Sequence, residues 1–167
     1  MEKKKTIGLI CFFAVSLSAL AQTEYDKKLK SLYKNSVTTI SPSEAKKKID
    51  KNEKVVFLDT RAPEEFAVSH LAGATFLNYN SYSSEDLKKI PVDSKIIVYC
   101  SVGYRSERIG EKLLELGYKN VFNLYGGIFE WKNEGFSVVN RLNQPTDSVH
   151  TYNKNWSRWL QKGIKVY

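Results

Sequence analysis

The stretch from Ile96 to Ser106, IIVYCSVGYRS, constrains the fold of this chain more than any other. Its first four residues, Ile96 to Tyr99, are β-branched or aromatic, which is typical of a short buried strand. Cys100 stands where that strand ends, and a helical pattern runs from about Ser106 to Leu116. The stretch therefore predicts a strand, a tight turn and a helix, which is the local order of an α/β protein.

The turn between that strand and that helix is suited to negative charge. Successive backbone N–H groups at a helix N-terminus form a concave site for an anion. Because Cys100 lies at the rim, we expect those donors and the helix dipole to stabilise a nucleophilic thiolate. The alternative is a buried structural cysteine at a strand end. Gly103 and Arg105 in the turn favour the reactive cysteine.

The first 21 residues are predicted to be a secretory signal peptide. Three lysines at 3–5 precede an apolar run at 7–20, and the small-x-small sequence at 19–21 offers a cleavage site. The apolar run is short for a membrane span, and an uncleaved N-terminal anchor is the alternative. Cleavage predicts export, to a bacterial periplasm, of a protein that has no membrane span.

Export would change both the charge and the cysteine count. Removing residues 1–21 lowers the formal net charge from +8 to +6 and takes Cys11 away, which leaves Cys100 as the one cysteine. A single thiol in an oxidising compartment is expected to have a chemical role. The lysines are scattered and the protein is exported, so nucleic acid is not an expected partner. Small anionic substrates and an ordinary solvated surface explain the charge equally well.

The rest of the chain predicts one domain at 38–140, between a polar N-terminal extension at 22–37 and a basic, tryptophan-containing tail at 141–167. Strand and helix patterns alternate along the domain, so a mostly parallel central sheet with helices on both faces is expected. The strands are predicted at 37–40, 55–58, 75–77, 96–99 and 121–124. The helices are predicted at 42–49, 62–70, 84–90, 106–116 and 128–134. Ser41 is the expected N-cap of the first of these, and Glu44 completes a capping box with it. Asp59 and Cys100 fall at the carboxyl edge of this sheet, where active sites of such folds lie.

Both flanking segments leave alternatives open. In the extension, tyrosines and leucines at helical spacing predict either an amphipathic helix or a spacer: Tyr25, Leu29, Leu32 and Tyr33. In the tail, Trp156, Trp159 and Leu160 before Gly163 predict a short capped helix. That helix packs on the parent domain in the favoured interpretation, and the other interpretation is contact with a partner protein or a membrane surface.

No metal or organic cofactor is expected. After signal removal the chain has one cysteine and two histidines far apart, His70 and His150, and no close pair of ligands. No P-loop or dinucleotide fingerprint is present.

Five motifs follow one another between residues 38 and 140: ISP at 40–42, LDTR at 58–61 with EEF at 64–66, SHLAGA at 69–74, YCSVGYRS at 99–106 and LYGGIFEW at 124–131. In these motifs the chain resembles the single-domain rhodanese-like sulfurtransferases. Any one of the motifs alone is a weak signal, and their order and spacing together are specific. The resemblance implies the rhodanese-like fold.

The resemblance also implies transfer of a sulfane sulfur. Cys100 would attack the outer sulfur of a small anionic donor such as thiosulfate, release sulfite and carry a persulfide. A thiophilic acceptor (cyanide, a thiol or a sulfur-acceptor protein) would then take that sulfur. The anionic persulfide would be held by the backbone N–H groups of the loop residues Ser101, Val102, Gly103, Tyr104 and Arg105.

Three charged residues have open roles at this stage. Arg105 would either add positive charge near the donor or brace the loop by pairing with Asp59 or Glu65, and bracing is slightly favoured. Asp59 and Arg61 would either support the site by shaping its mouth, or serve as a turn cap and a paired charge at the sheet edge.

Two rival functions remain. Cysteine phosphatases and arsenate reductases of the same fold carry one more residue between cysteine and arginine than the four that separate Cys100 from Arg105. The shorter loop suits one sulfur atom better than a tetrahedral oxyanion. The other rival is a persulfide carrier or binding module that delivers sulfur to a partner protein.

Overall fold

The structure is a computed structural model that describes residues 24–167. The predicted signal peptide at 1–21 lies outside the described residues. The chain forms two units, one ending at Leu32 and the other covering Tyr33–Tyr167. The described part of the first unit is helix α1 at residues 24–32, so the spacing of the tyrosines and leucines indicates a helix and not a spacer.

Five parallel strands form the central sheet of the second unit, in the order β1-β5-β4-β2-β3. The strands are β1 (Thr39–Ile40), β2 (Val55–Asp59), β3 (Thr75–Phe76), β4 (Lys95–Tyr99) and β5 (Val121–Leu124). The connecting helices are α2 (Pro42–Asp50), α3 (Pro63–Val68), α4 (Ser84–Lys88), α5 (Tyr104–Glu115) and α6 (Gly127–Asn133). The predicted α/β fold with a parallel central sheet is confirmed.

The strand β4 lies in the middle of the sheet and of the core. Ile96, Ile97, Val98 and Tyr99 are all fully buried, since β2 and β5 pair with the two edges of β4. Helix α5 contributes two more fully buried side chains, those of Ile109 and Leu113, to the cluster around Ile96 and Val98. Each of these aliphatic side chains stabilises the fold by about 1.5–3 kcal/mol on burial. Cys100 therefore directly follows a strand whose last four side chains are fully buried.

The ends of two helices show how local sequence sets the boundaries. Helix α2 has the expected capping box, in which the Ser41 hydroxyl accepts from the Glu44 N–H and the Glu44 carboxylate accepts from the Ser41 N–H. Helix α5 begins at Tyr104 and not at Ser106, two residues earlier than the apolar pattern predicts. The reason is Gly103, whose positive φ of 96° ends the loop and starts the helix.

Four short strands follow α6, three of them in the tail, and the sequence did not predict them. Strand β6 (Val138–Val139) pairs antiparallel with β7 (Pro145–Thr146), and β8 (Ser148–His150) pairs parallel with β9 (Ile164–Val166). The predicted tail helix is wrong in kind: a single 3₁₀ turn, Ser157–Trp159, stands there. The Leu160 N–H bonds Ser157 three residues back, which is the tighter 3₁₀ pattern.

The tail is fastened to the end of α6. The Lys132 ammonium pairs with Asp147 at 2.6 Å, and the Asn133 carboxamide donates to the Trp159 carbonyl and accepts from the Gln161 N–H. Trp159 and Leu160 are buried. These contacts favour packing on the parent domain over a free partner-binding or membrane-binding segment. None of the helices among residues 24–167 is long and apolar enough to cross a membrane.

Candidate active site

Cys100 is the first residue of the loop that joins β4 to α5. The thiol is unpaired and buried, with 1% of the residue exposed. The backbone N–H of Gly103 donates to its Sγ at 3.1 Å. The positive φ of Gly103 turns this N–H back toward the sulfur, so the loop curls around the thiol. The N–H groups of the first turn of α5, which have no partner within a helix, follow directly.

Tyr33 braces the outer side of this loop. Its hydroxyl donates to the Val102 carbonyl at 2.7 Å and accepts from the Gly126 N–H at 3.0 Å. A Cβ on Gly103 would lie 2.0 Å from the Tyr33 Oη, so only glycine fits against this ring. Burial raises the pKa of Tyr33 well above its ordinary value, and the hydroxyl stays neutral and able to donate. The sequence placed Tyr33 in the polar extension and gave no signal for this contact.

The glycine pair Gly126-Gly127 brings the start of α6 against the same loop. The Ile128 N–H donates to the Cys100 carbonyl at 2.9 Å, and the Phe129 N–H donates to the Ser101 carbonyl at 3.2 Å. Gly127 has a φ of +57°, and a Cβ on it would lie 2.3 Å from the Cys100 carbonyl oxygen. The close approach of α6 thus requires a glycine at position 127. The two hydrogen bonds from α6 hold the backbone of Cys100 and Ser101 in place.

Arg105 lies inside a network with Glu65 and Ser101. Its two terminal nitrogens donate to the two carboxylate oxygens of Glu65, both at 2.8 Å, and one also donates to the Ser101 hydroxyl at 3.0 Å. The Ser101 hydroxyl donates to Glu65 in turn at 2.7 Å. Of the two partners considered for Arg105, the structure therefore places Glu65 and not Asp59 on its guanidinium.

Glu65 and Arg105 stabilise each other's charges, although both side chains are largely buried. Burial raises the pKa of Glu65, but the hydrogen bonds and positive charge of Arg105 outweigh it, and the pKa lies below its ordinary value. Burial lowers the pKa of Arg105, but its contacts with Glu65 and the neighbouring Cys100 together raise it above its ordinary value. The site therefore holds an ion pair beside the sulfur, and its positive member is close enough to Cys100 to interact with negative charge there.

Asp59 and Arg61 pair with each other and are fully buried. The guanidinium of Arg61 donates to both oxygens of Asp59 at 2.6–3.2 Å and to the Ser69 carbonyl at 2.5 Å. The Asp59 carboxylate also accepts from the Arg61 N–H, which is the turn cap considered for it. Between them, Thr60 donates to the Tyr99 carbonyl, so this turn is attached to the strand end that carries Cys100. The pair supports the scaffold and does not line the mouth.

His70 makes its contacts within its own turn. The His70 Nδ1 lies 3.0 Å from the Phe66 carbonyl, and its ring stacks on the Phe66 ring at 3.9 Å, so the side chain serves its own turn. Among residues 24–167 there is no group of three or more His, Cys, Asp or Glu that could hold a metal ion.

Two exposed tyrosines each lie against an arginine of α5. Tyr104, the fourth residue after Cys100, is 45% exposed, and the Arg108 guanidinium lies 5.3 Å from its ring centroid. Tyr152 of the tail lies over Arg105, with 5.7 Å between the Arg105 Cζ and the ring centroid. The sequence offered no pattern that links residue 152 to the cysteine loop, because the contact joins segments far apart in the chain.

The comparison with known families matches the part of the chain that holds most of the parallel sheet and the cysteine loop. The rhodanese-like domain family model matches residues 41–134, and the chain belongs to this family. The predicted family is therefore confirmed, and with it the class of rhodanese-like sulfurtransferases.

Named relatives fall in the same class. The chain is 30% identical over 103 residues to a sulfurtransferase of Allochromatium vinosum, covering 62% of this chain and 95% of that protein. It is 31% identical over 98 residues to the probable adenylyltransferase/sulfurtransferase MoeZ of Mycobacterium tuberculosis, covering 58% of this chain. The crystal structure of a rhodanese-related protein from Thermoplasma volcanium has a TM-score of 0.55 and 29% identity, covering 61% of this chain and 97% of that one.

Several of the relatives are much longer than the matched region. The match spans 25% of the Mycobacterium tuberculosis protein and 46% of a tRNA uridine(34) hydroxylase of Chlamydia felis, which is 30% identical over 152 residues. The shared part is thus the rhodanese-like domain, and the activities named for those longer proteins do not pass to this chain by similarity alone.

Proposed function

We propose that this protein transfers a sulfane sulfur from thiosulfate or a similar donor, through a persulfide on Cys100, to cyanide or a thiol. The observation that carries the proposal is the loop geometry, in which the Gly103 N–H points at the Cys100 sulfur and the positive charge of Arg105 lies beside it. A thiolate, a persulfide and an anionic donor all carry negative charge at that point. Each is stabilised by the same donors.

Sulfur transfer proceeds in two displacement steps. The Cys100 thiolate attacks the outer sulfur of thiosulfate, the S–S bond of the donor breaks, and sulfite leaves with the bonding pair. The acceptor then attacks the outer sulfur of the Cys100 persulfide, and Cys100 departs as a thiolate. No proton, metal or organic cofactor is required in either step.

The contacts of Arg105 support a sulfur substrate over a phosphate or arsenate one. A phosphatase of this kind needs its loop arginine to grip two oxygens of a tetrahedral anion. Here the bidentate face of Arg105 is occupied by Glu65, which is 1% exposed at its side chain. The loop also has one residue fewer. We therefore place phosphatase and arsenate reductase activity below sulfur transfer.

A persulfide carrier is the second candidate, and the burial of Cys100 favours it. A thiol in a residue with 1% exposure is shielded from oxidants in solution. A carrier would form the persulfide and deliver it to a partner protein, with slow turnover on thiosulfate and cyanide.

Steady-state assays separate these functions. Thiosulfate and cyanide should yield thiocyanate with wild-type protein and none with Cys100→Ser, because the serine hydroxyl cannot hold a persulfide. Slow thiocyanate formation together with a stable persulfide would identify the carrier. Hydrolysis of an aryl phosphate without thiocyanate formation would contradict sulfur transfer.

We also propose that the protein acts in a bacterial periplasm after removal of residues 1–21. The support is the sequence of that segment, with its lysines, apolar run and small-residue cleavage site. Fractionation of cells that produce the protein, followed by N-terminal sequencing, should find it outside the inner membrane and beginning at Gln22. A cytoplasmic protein that begins at Met1 would contradict this.

A further inference from the structure

The tail carries an aromatic ring to Arg105, the second residue of α5. Tyr152 follows β8, and its ring covers Arg105 at 5.7 Å from the Arg105 Cζ to the ring centroid. Arg105 in turn donates to Ser101 and interacts with the charge of Cys100. Tyr152 is thereby joined to the reacting sulfur through Arg105, although it lies outside residues 41–134, which the family model matches.

The backbone of Tyr152 is held in a conformation that costs energy. Its φ is +66°, in the left-handed region that side chains other than Asn and Asp rarely adopt. Its N–H donates to the His150 Nδ1 at 3.1 Å. The preceding Thr151 is fully buried, and both its N–H and its hydroxyl donate to the Val166 carbonyl. These hydrogen bonds within the tail hold Tyr152 in its strained backbone conformation. Strained residues that are held in this way are concentrated at functional sites.

Packing does not account for the strain. Tyr152 is 58% exposed, so most of its ring faces solvent and buries little apolar area. Tyr104 repeats the arrangement, because it is 45% exposed and has the Arg108 guanidinium against its ring. Each is an exposed ring backed by an arginine, Arg105 for Tyr152 and Arg108 for Tyr104, and of these arginines Arg105 is the one that donates to Ser101 of the cysteine loop. An aromatic ring with free surface binds planar or apolar organic groups well.

We propose that Tyr152 is an acceptor-binding residue that favours organic thiols over inorganic acceptors. The inference rests on the proposed sulfur transfer, since it concerns the second step of that reaction. The organic body of a thiol packs on the Tyr152 ring while its thiolate attacks the outer sulfur of the Cys100 persulfide. The bond to Cys100 breaks, Cys100 keeps the electron pair, and the acceptor leaves as a persulfide. Cyanide has no such body and gains nothing from the ring.

The test compares acceptors across a set of variants. With thiosulfate as donor, kcat and KM are measured for glutathione, 2-mercaptoethanol and cyanide. The proteins are wild type, Tyr152→Phe and Tyr152→Gly, with Tyr167→Ala as a matched exposed tyrosine of the tail. Glycine accepts a φ of +66° without strain, so its fold should be retained while the ring is lost. Tyr152→Asn, which tolerates the same region, replaces it if the glycine variant does not fold.

The expected result is a change of specificity. Tyr152→Gly should lower the ratio of kcat/KM for glutathione to kcat/KM for cyanide by about three- to ten-fold, mainly through the KM for glutathione. Tyr152→Phe and Tyr167→Ala should keep the wild-type ratio. A ratio that is the same in all four proteins, or a loss shared equally by every acceptor, would overturn the inference while leaving sulfur transfer intact. A wild-type protein that forms neither thiocyanate nor a Cys100 persulfide would overturn the proposed function itself.

Discussion

At the scale of single residues, Arg105 is held in place by two parallel hydrogen bonds to Glu65, both of 2.8 Å. Such a fork-to-carboxylate pair fixes the plane of the guanidinium as well as its position. The same guanidinium donates to the Ser101 hydroxyl, so it ties α3 to the cysteine loop. This geometry supports the bracing role, and the charge of Arg105 still acts on Cys100 from a fixed place.

Replacing Arg105 by lysine should separate charge from geometry. Lysine keeps the positive charge but cannot donate to both oxygens of Glu65 and to Ser101 in one plane. We expect kcat/KM for thiosulfate and cyanide to fall by about ten- to hundred-fold. Arg158→Lys, at an arginine that stacks on Trp159 in the tail, is the matched control and should change it by less than about two-fold. Equal activities of Arg105→Lys and wild type would show that only charge matters.

The depressed pKa of Glu65 makes one pH effect predictable. Its folded pKa lies below the ordinary value of 4.5, so ionised Glu65 stabilises the fold fully above about pH 4.5 and less as pH falls through the folded pKa. Glu65→Gln has no charge to lose. The difference in unfolding free energy between wild type and Glu65→Gln should therefore shrink as pH falls below 4.5, by at most about 1.4 kcal/mol per pH unit.

Urea denaturation of both proteins at a series of pH values measures this difference. Other carboxyls with lowered pKa values, such as Glu44 and Asp86, cancel in the comparison because both proteins contain them. A difference that stays constant from pH 7 to about pH 3 would contradict the assigned ion pair.

At the scale of secondary-structure elements, the contact of α6 with the cysteine loop holds the site together. The Ile128 and Phe129 N–H groups donate to the carbonyls of Cys100 and Ser101, so a helix N-terminus holds the loop by its backbone. Only a glycine allows this approach at position 127. The glycine pair at 126–127, a weak signal by itself, therefore has a mechanical role next to the thiol.

Gly127→Ala should disturb both stability and the loop. The new Cβ would lie 2.3 Å from the Cys100 carbonyl oxygen, and alanine would have to adopt a φ of +57°. We expect a loss of about 2–4 kcal/mol in unfolding free energy and a parallel loss of thiocyanate formation. Gly73→Ala is the matched control: it shares a positive φ of 75° but has nothing within 4 Å of the added Cβ, and should cost about 1 kcal/mol. Equal losses for the two variants would contradict the steric account.

The elements of the domain could be predicted because their signals are local. The β-branched run of β4 and the capping box of α2 reside within a few residues, and the structure has both. The four strands after α6 are two or three residues long, too short to show an alternating pattern. The Tyr33 hydroxyl bonds to Val102 of the cysteine loop, 69 residues further along the chain. Tyr152, in the C-terminal tail, contacts Arg105. Such contacts depend on the assembled fold and leave no trace in local sequence.

At the scale of the whole molecule, the tail is part of the folded second unit. Val149 and Leu160 are fully buried, Trp159 is nearly so, and Lys132 and Asn133 anchor the tail to the end of α6. The tail also supplies Tyr152. The family-matched region and its C-terminal addition are therefore expected to unfold together.

A variant that ends at Asn140 tests this expectation. Removing three buried apolar side chains and exposing their partners should cost about 3 kcal/mol or more, and lower Tm by about 8 °C or more. Circular dichroism and tryptophan fluorescence should report a single transition in the full chain at the higher temperature. An unchanged Tm would exclude the packing of the tail and favour a partner-binding or membrane-binding segment.

The central claim is that Cys100 carries one sulfur atom, and the mass of the intact protein tests it most directly. After treatment with thiosulfate and removal of excess reagent, the wild-type mass should rise by about 32 Da, which is one sulfur. Cyanide should return it to the original value with release of thiocyanate, and Cys100→Ser should show no increase. No increase in the wild-type protein, or the same increase in Cys100→Ser, would contradict the account.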